Sequence, residues 1–110
     1  DARAPGRYRG EVEPLDPVAG HIPGAVNVFF KANLKTDLTM RESAELRERW
    51  AAELKGRQPD KIVHQCGSGI TACVNMLAME VAGLTGSRLF AGSWSEWVGD
   101  PRRPVATGDQ

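Results

Sequence analysis

Cys66 is followed by Gly67-Ser68-Gly69-Ile70-Thr71 and preceded, three residues earlier, by the apolar pair Ile62-Val63. A cysteine between a short β-prone stretch and a glycine-rich turn that opens a helix is a candidate nucleophile. Gly67 and Gly69 let the backbone curl tightly, so that successive N–H groups can point inward. Those amides, with the positive end of the following helix, favour negative charge on the sulfur. A thiolate held in that way has a depressed pKa and attacks readily. The competing reading is a buried, inert cysteine beside a turn. The Gly-x-Gly spacing directly after Cys66 weighs for the nucleophile.

The remaining chemistry-bearing side chains read as structural. Cys73 falls in the apolar stripe of the helix after the loop, so it is expected to be buried packing. Two helical turns, roughly 10 Å, separate it from Cys66, too far for a disulfide without rearrangement. His64 shares a strand side with Cys66 and is expected to be packed rather than to act as a base. His21, in Gly20-His21-Ile22-Pro23-Gly24, reads as part of a turn. Two cysteines and two histidines lack zinc-ligand spacing, and no cofactor is implied. A cysteine phosphatase uses a similar loop but needs an arginine six positions after the nucleophile. Position 72 is Ala, so a dianionic phosphate lacks its bidentate partner.

Several elements must position this loop. Residues 25–29 are short, apolar and β-prone, which predicts a strand. Thr39 and Glu42 have capping-box spacing, and Leu46, Trp50 and Leu54 recur every four residues. Together they predict a helix over 41–55, stopped near Gly56 and Pro59. Residues 61–65 read as a strand buried on both faces. A second helix runs to about Ala82 with a stripe of Cys73, Met76, Leu77 and Val81, and Gly83 is its C-cap. Residues 88–91 form a third strand leading into Gly92-Ser93-Trp94-Ser95-Glu96-Trp97. This alternation predicts an α/β domain with a mainly parallel central sheet flanked by helices. Trp50 is expected in the core, and Trp94 and Trp97 are expected to brace the domain edge. The first 24 residues, crowded with Pro and Gly, read as a long irregular segment fed by a truncated first strand. The tail after Pro101 is expected to fray.

Cys66-Gly67-Ser68-Gly69-Ile70-Thr71 resembles the active-site loop of the 3-mercaptopyruvate sulfurtransferases of the rhodanese superfamily, which usually carry Val where this chain has Ile70. Asp1-Ala2-Arg3 with Gly6-Arg7-Tyr8-Arg9-Gly10 is similar to the segment opening the catalytic domain. Gly20-His21-Ile22-Pro23-Gly24-Ala25-Val26-Asn27 and Gly92-Ser93-Trp94-Ser95-Glu96-Trp97 are similar to the two rhodanese signatures. The resemblance covers residues 1 to about 98. It implies that Cys66 takes sulfur from a small donor, 3-mercaptopyruvate, as a persulfide, and passes it to a thiol, thioredoxin or cyanide. It implies a catalytic role for Cys66 and Ser68, the latter in a proton relay with an N-terminal rhodanese-like domain not present here. It places Arg7 on the donor carboxylate and Gly67, Gly69, Ile70 and Thr71 around the bound substrate. A second carboxylate-binding arginine of that family is replaced here by Leu15 and Asp16, a role Arg9 can substitute. Thiosulfate-preferring relatives carry basic side chains after the nucleophile; Gly67 and Gly69 supply none. The alternatives are a thiosulfate:cyanide sulfurtransferase and a non-catalytic rhodanese-like binding module.

Composition agrees with one such domain. The 110 residues, 41% hydrophobic and 25% charged, are of single-domain size, so 1–110 is expected to be one catalytic domain, the C-terminal half of a two-domain protein. Fourteen basic residues balance fourteen acidic ones, which argues against nucleic acid or an anionic membrane as partner. No apolar run approaches the roughly 20 residues of a membrane span, and nothing at the N-terminus resembles a signal peptide, so a cytoplasmic location is expected.

Overall fold

The computed structural model describes residues 1–109. In chain order its elements are α1 (Pro5–Arg9), a 3-10 turn (Phe30–Asn33), α2 (Ser43–Leu54), a second 3-10 turn (Pro59–Lys61), β1 (Val63–His64), α3 (Ala72–Val81), β2 (Arg88–Leu89) and α4 (Ser93–Trp97). β1 and β2 pair in parallel, Val63 with Arg88 and His64 with Leu89. The α3 crossover between them is the unit that a parallel pair requires.

The predicted strand over 25–29 is not formed. That stretch is extended, but its ladder partner is Asp1–Ala2. The Asp1 amine donates to Val26 O (2.8 Å), and the Val28 and Phe30 N–H groups donate to Asp1 O (2.9 Å) and Ala2 O (3.0 Å). On its other side the Ala2 N–H donates to Gln65 O (2.9 Å). Asp1–Ala2 thus lies between the 26–28 stretch and the end of β1. Beside Asp1 lies a groove of about 330 Å³ bordered by Val26, Val28, Ile62, Val63 and Gln65. The Gln65 amide atoms are buried there without a hydrogen-bond partner.

The main core joins Leu46, Trp50 and Leu54 of α2 to Ala78, Met79 and Ala82 of and just after α3, with Val28, Met40, Ile62 and Leu84 at its border. The four-residue spacing in α2 therefore has the role expected of it. The capping box does not form. Glu42 is the N-cap residue but makes no side-chain capping bond, its carboxylate accepting from Lys35 Nζ (2.8 Å) instead, and the Thr39 hydroxyl and N–H both turn to Asp37 Oδ1. Lys55 ends α2 in the left-handed region, with Gly56 after it.

The stripe expected on α3 is out of phase. Ala72, Asn75, Ala78 and Met79 are buried, whereas Cys73 is exposed and Leu77 is 55% exposed. The reason is Asn75, a polar residue drawn inward by its partners. Asn75 Nδ2 donates to Val28 O (2.8 Å), and its Oδ1 accepts from Asn33 Nδ2 (2.7 Å). Asn33 Oδ1 in turn accepts from Trp50 Nε1 (2.9 Å). This buried amide chain ties the 28–33 stretch to both long helices.

Neither terminal segment is as irregular as expected. Pro5 opens the short helix α1, and Gly10, in the left-handed region, closes it. The tail does not fray through Ala106. It forms an antiparallel bridge with His21, and the Gly108 N–H donates to Arg9 O (2.9 Å). No helix of the described residues is long and apolar enough to cross a membrane.

Candidate active site

Cys66 follows β1 by one residue and is 1% exposed, at the base of the loop that leads into α3. The loop carbonyls are tied outward. Cys66 O accepts from the Trp94 N–H (2.9 Å) and Gly67 O from the Ser95 N–H (3.0 Å), both in the first turn of α4. With these peptide planes fixed, the following N–H groups turn inward to the sulfur. The Gly69 N–H donates to Cys66 Sγ at 3.0 Å. Burial pushes the Cys66 thiol up. Hydrogen bonds from the Thr71 hydroxyl and from the N–H groups of Ala72, Ser68 and Gly69 outweigh it and hold the pKa below the ordinary thiol value. Ala72 begins α3, so the helix dipole acts in the same direction.

Gly69 has φ +95°, and a Cβ there would overlap the Ala91 carbonyl oxygen. Only glycine fits without moving either strand end. Gly67 is glycine for a different reason. A Cβ there would lie 3.1 and 3.2 Å from the Nη2 and Nη1 atoms of Arg7. The guanidinium of Arg7 thus rests on the loop beside the nucleophile, which brings together two residues singled out from sequence. Its Nη2 contacts Glu13 Oε2 (3.1 Å) and lies 3.7 Å from Asp16 Oδ2. Ser68 and Ile70 are exposed on the outer side of the loop, Ile70 by 76%. Among the predicted residues, Thr71 alone brings a side-chain donor to the sulfur.

Ser93 is a part of the site that sequence reasoning missed. It is fully buried with φ +55°, an uncommon conformation for a side chain with a Cβ. Its hydroxyl accepts from the Cys66 N–H (3.0 Å) and donates to Phe90 O (3.0 Å). Ser93 belongs to the Gly92–Trp97 stretch, and the parallel strand pairing brings it to the nucleophile's backbone. Arg3, whose type gave no signal, is also buried near the site. It pairs with Asp1 (2.7 Å), donates to Gly20 O (2.7 Å) and stacks 4.9 Å over Trp94.

The residues read as structural are so placed, with one exception. His21 is buried, stacked on Tyr8 at 3.8 Å, and its Nδ1 donates to Tyr8 O (2.7 Å). His64 packs edge-on to Trp50, and burial pulls its pKa down to about 4, with the Asp1 amine adding to the effect. Trp94 donates to Val18 O and Trp97 to Pro104 O (both 2.8 Å), which braces the two loops as expected. Cys73 is the exception. It is exposed, and its thiol donates to Gly69 O (3.3 Å).

The site is thus a cysteine cradled by a Gly-rich loop at the C-terminal end of one strand of a parallel α/β unit. The rhodanese-like domain family matches residues 1–100, and the chain belongs to it. A Pseudomonas aeruginosa protein named probable 3-mercaptopyruvate sulfurtransferase is 58% identical over 99% of this chain and 38% of its own length. An Arabidopsis thaliana protein named thiosulfate/3-mercaptopyruvate sulfurtransferase 1, mitochondrial, is 32% identical over 96% of this chain and 28% of its own. The Tum1 protein of Saccharomyces cerevisiae superposes on all of this chain with a TM-score of 0.84 at 30% identity, covering 40% of that structure. The chain thus spans less than two fifths of the length of these curated relatives.

Proposed function

We propose that this chain is the catalytic, C-terminal domain of a two-domain sulfurtransferase, taking sulfane sulfur from 3-mercaptopyruvate onto Cys66 and passing it to a thiol, thioredoxin or cyanide. The observation that carries this reading is the cradle: inward N–H groups and the Thr71 hydroxyl around Cys66 Sγ. The thiolate attacks the donor sulfur, the C–S bond breaks, and the electron pair leaves with the carbon fragment, which takes a proton as pyruvate. The resulting persulfide keeps its negative charge on the outer sulfur, within reach of the same donors. An acceptor thiolate then attacks that outer sulfur and returns the Cys66 thiolate. Arg7 takes the donor carboxylate, a role supported by its guanidinium lying against Gly67 of the loop.

The test is intact mass after donor treatment. Addition of one sulfur atom to the native protein, and none to Cys66→Ser, supports the reading. Absence of the adduct with 3-mercaptopyruvate and with thiosulfate leaves the non-catalytic binding module. A larger adduct yield with thiosulfate than with 3-mercaptopyruvate selects the other donor.

A further inference from the structure

We propose that Glu13 and Asp16 set the charge selectivity of the Cys66 site: by holding one side of the Arg7 guanidinium they leave room for a singly charged donor and disfavour a dianion. The proposal rests on the donor-binding role given to Arg7 above.

Both carboxylates are shielded from water, Glu13 with 5% and Asp16 with 11% of the side chain exposed. Neither is a loose surface charge. Glu13 Oε2 accepts from the N–H groups of Leu15 (3.1 Å) and Asp16 (3.0 Å). Asp16 Oδ1 accepts from the Ser95 hydroxyl (2.7 Å), while the Ser95 N–H holds Gly67 O. The acidic pair is therefore fastened to the same loop peptide on which Arg7 rests. Asp16 Oδ2 is buried with no hydrogen bond and faces Arg7 Nη2 at 3.7 Å.

The charges at this place do not balance in favour of an anion. The guanidiniums of Arg3 and Arg7 meet the carboxylates of Asp1, Glu13 and Asp16. A thiolate at Cys66 adds a further negative charge. An anion of one charge can share Arg7 through Nη1, which also lies against Gly67 and is not the nitrogen held by Glu13 and Asp16. Each further charge on the donor is repelled by the two fixed carboxylates, by roughly three- to tenfold in rate for each. Glu13 and Asp16 act through Arg7 and through space, so they are positioning residues.

Glu13→Gln and Asp16→Asn remove charge and keep the oxygens that accept the backbone and Ser95 bonds. The experiment compares Cys66 alkylation by iodoacetate, an anion, with that by iodoacetamide, its neutral counterpart. In parallel, kcat/KM is compared for thiosulfate, a dianion, and 3-mercaptopyruvate. Each substitution is expected to raise the iodoacetate-to-iodoacetamide rate ratio roughly three- to tenfold. The thiosulfate-to-3-mercaptopyruvate ratio should rise similarly, the iodoacetamide rate should stay within about twofold, and the gain should shrink in about 1 M salt. An unchanged ratio in a folded variant overturns the proposal. So does an equal change with both reagents, which is the signature of a merely structural role. If Glu13→Gln fails to fold, Asp16→Asn and Ser95→Ala, which releases Asp16, carry the same test. A protein that transfers sulfur from neither donor defeats the function proposed above, and the alkylation ratio still decides the charge selectivity.

Discussion

Gly67 and Gly69 flank Ser68 in one turn, yet alanine at the two positions should have opposite consequences. At Gly69 the backbone has φ +95°, and a Cβ would overlap Ala91 O, a backbone atom next to β2. Left-handed backbone costs an alanine roughly 1–2 kcal/mol. Relieving the overlap requires moving the loop or the strand end, a further 1–3 kcal/mol typical of overpacking. The sum, about 2–5 kcal/mol, lowers the melting temperature by on the order of 10–20 °C in a domain of this size. The same shift withdraws the Gly69 N–H from Cys66 Sγ. A hydrogen bond to a charged group is worth about 1.5–3 kcal/mol, so the thiol pKa should rise by roughly one to two units.

At Gly67 the new methyl meets only the end of the Arg7 side chain, at 3.1 and 3.2 Å, and the backbone there is not left-handed. A flexible guanidinium yields by a few tenths of an ångström. Gly67→Ala should therefore melt within a few degrees of the native protein and keep its thiol pKa. Sulfur transfer from an anionic donor should fall several-fold because Arg7 is displaced. The assay is the pH dependence of Cys66 alkylation by a neutral reagent, beside thermal melts of both variants. A Gly69→Ala protein with native melt and native thiol pKa refutes the cradle argument. Equal collapse of both variants refutes the distinction between them.

Three other outcomes are expected. Cys66→Ser should abolish sulfur transfer while Cys73→Ser retains most of it; the reverse result in a transfer assay would move the nucleophile. Arg7→Ala should lower kcat/KM for an anionic donor by roughly 10- to 100-fold, from the loss of one charge-assisted hydrogen bond. It should also lower the melt modestly, because Glu13 and Asp16 lose their partner. Arg7→Lys should recover part of the activity, and unchanged kinetics in Arg7→Ala would remove the donor role. The third outcome concerns pH. Burial lowers the His64 pKa from its ordinary 6.5 to about 4. The unfolded chain thus binds more protons than the folded one between pH 4 and 6.5, so this contribution to stability should be full above about pH 6.5 and fall away as pH drops toward 4. His64→Gln should flatten that leg in a melt series; an unchanged slope would refute the assignment.

The site was more legible in the sequence than the elements that hold it. Cys66, the two glycines and the following helix are local in the chain, so spacing alone states their relation. Arg7 needed the family resemblance, because 59 residues separate it from Cys66 and nothing local joins them. The strand over 25–29 failed because the ladder partner is Asp1–Ala2, two residues too few to carry a pattern. The α3 stripe failed by one position because a 3.6-residue period read from apolar residues gives no weight to a buried Asn. Asn75 faces inward since Asn33, Trp50 and Val28 O satisfy its amide, and a satisfied polar group is as much at home inside as Leu77 would have been. Cys73 followed that phase outward.

The same long-range logic explains why the nucleophile's backbone partners were invisible. Ser93, Trp94 and Ser95 lie 27 or 28 residues after the residues whose atoms they hold. They reach Cys66 and Gly67 only because β2 pairs in parallel beside β1 and delivers α4 to the same sheet end. Parallel pairing places both C-terminal strand ends on one edge, so a loop after one strand and a short helix after the other must meet there. Cys66 lies on the first and Ser93 on the second. The activated thiol is therefore a property of the strand pair as much as of the Gly-rich loop. Ser93→Ala tests this directly. The Cys66 N–H loses its acceptor, and the left-handed residue at 93 loses both of its side-chain hydrogen bonds, keeping only the backbone bond from its N–H to Phe90 O (3.2 Å). A buried donor left without a partner costs about 1–3 kcal/mol. The variant should melt correspondingly lower and raise the Cys66 pKa, although position 93 touches no sulfur. A native thiol pKa in a destabilised Ser93→Ala protein would show that the loop alone holds the thiolate, and the role given to the strand pair would fall.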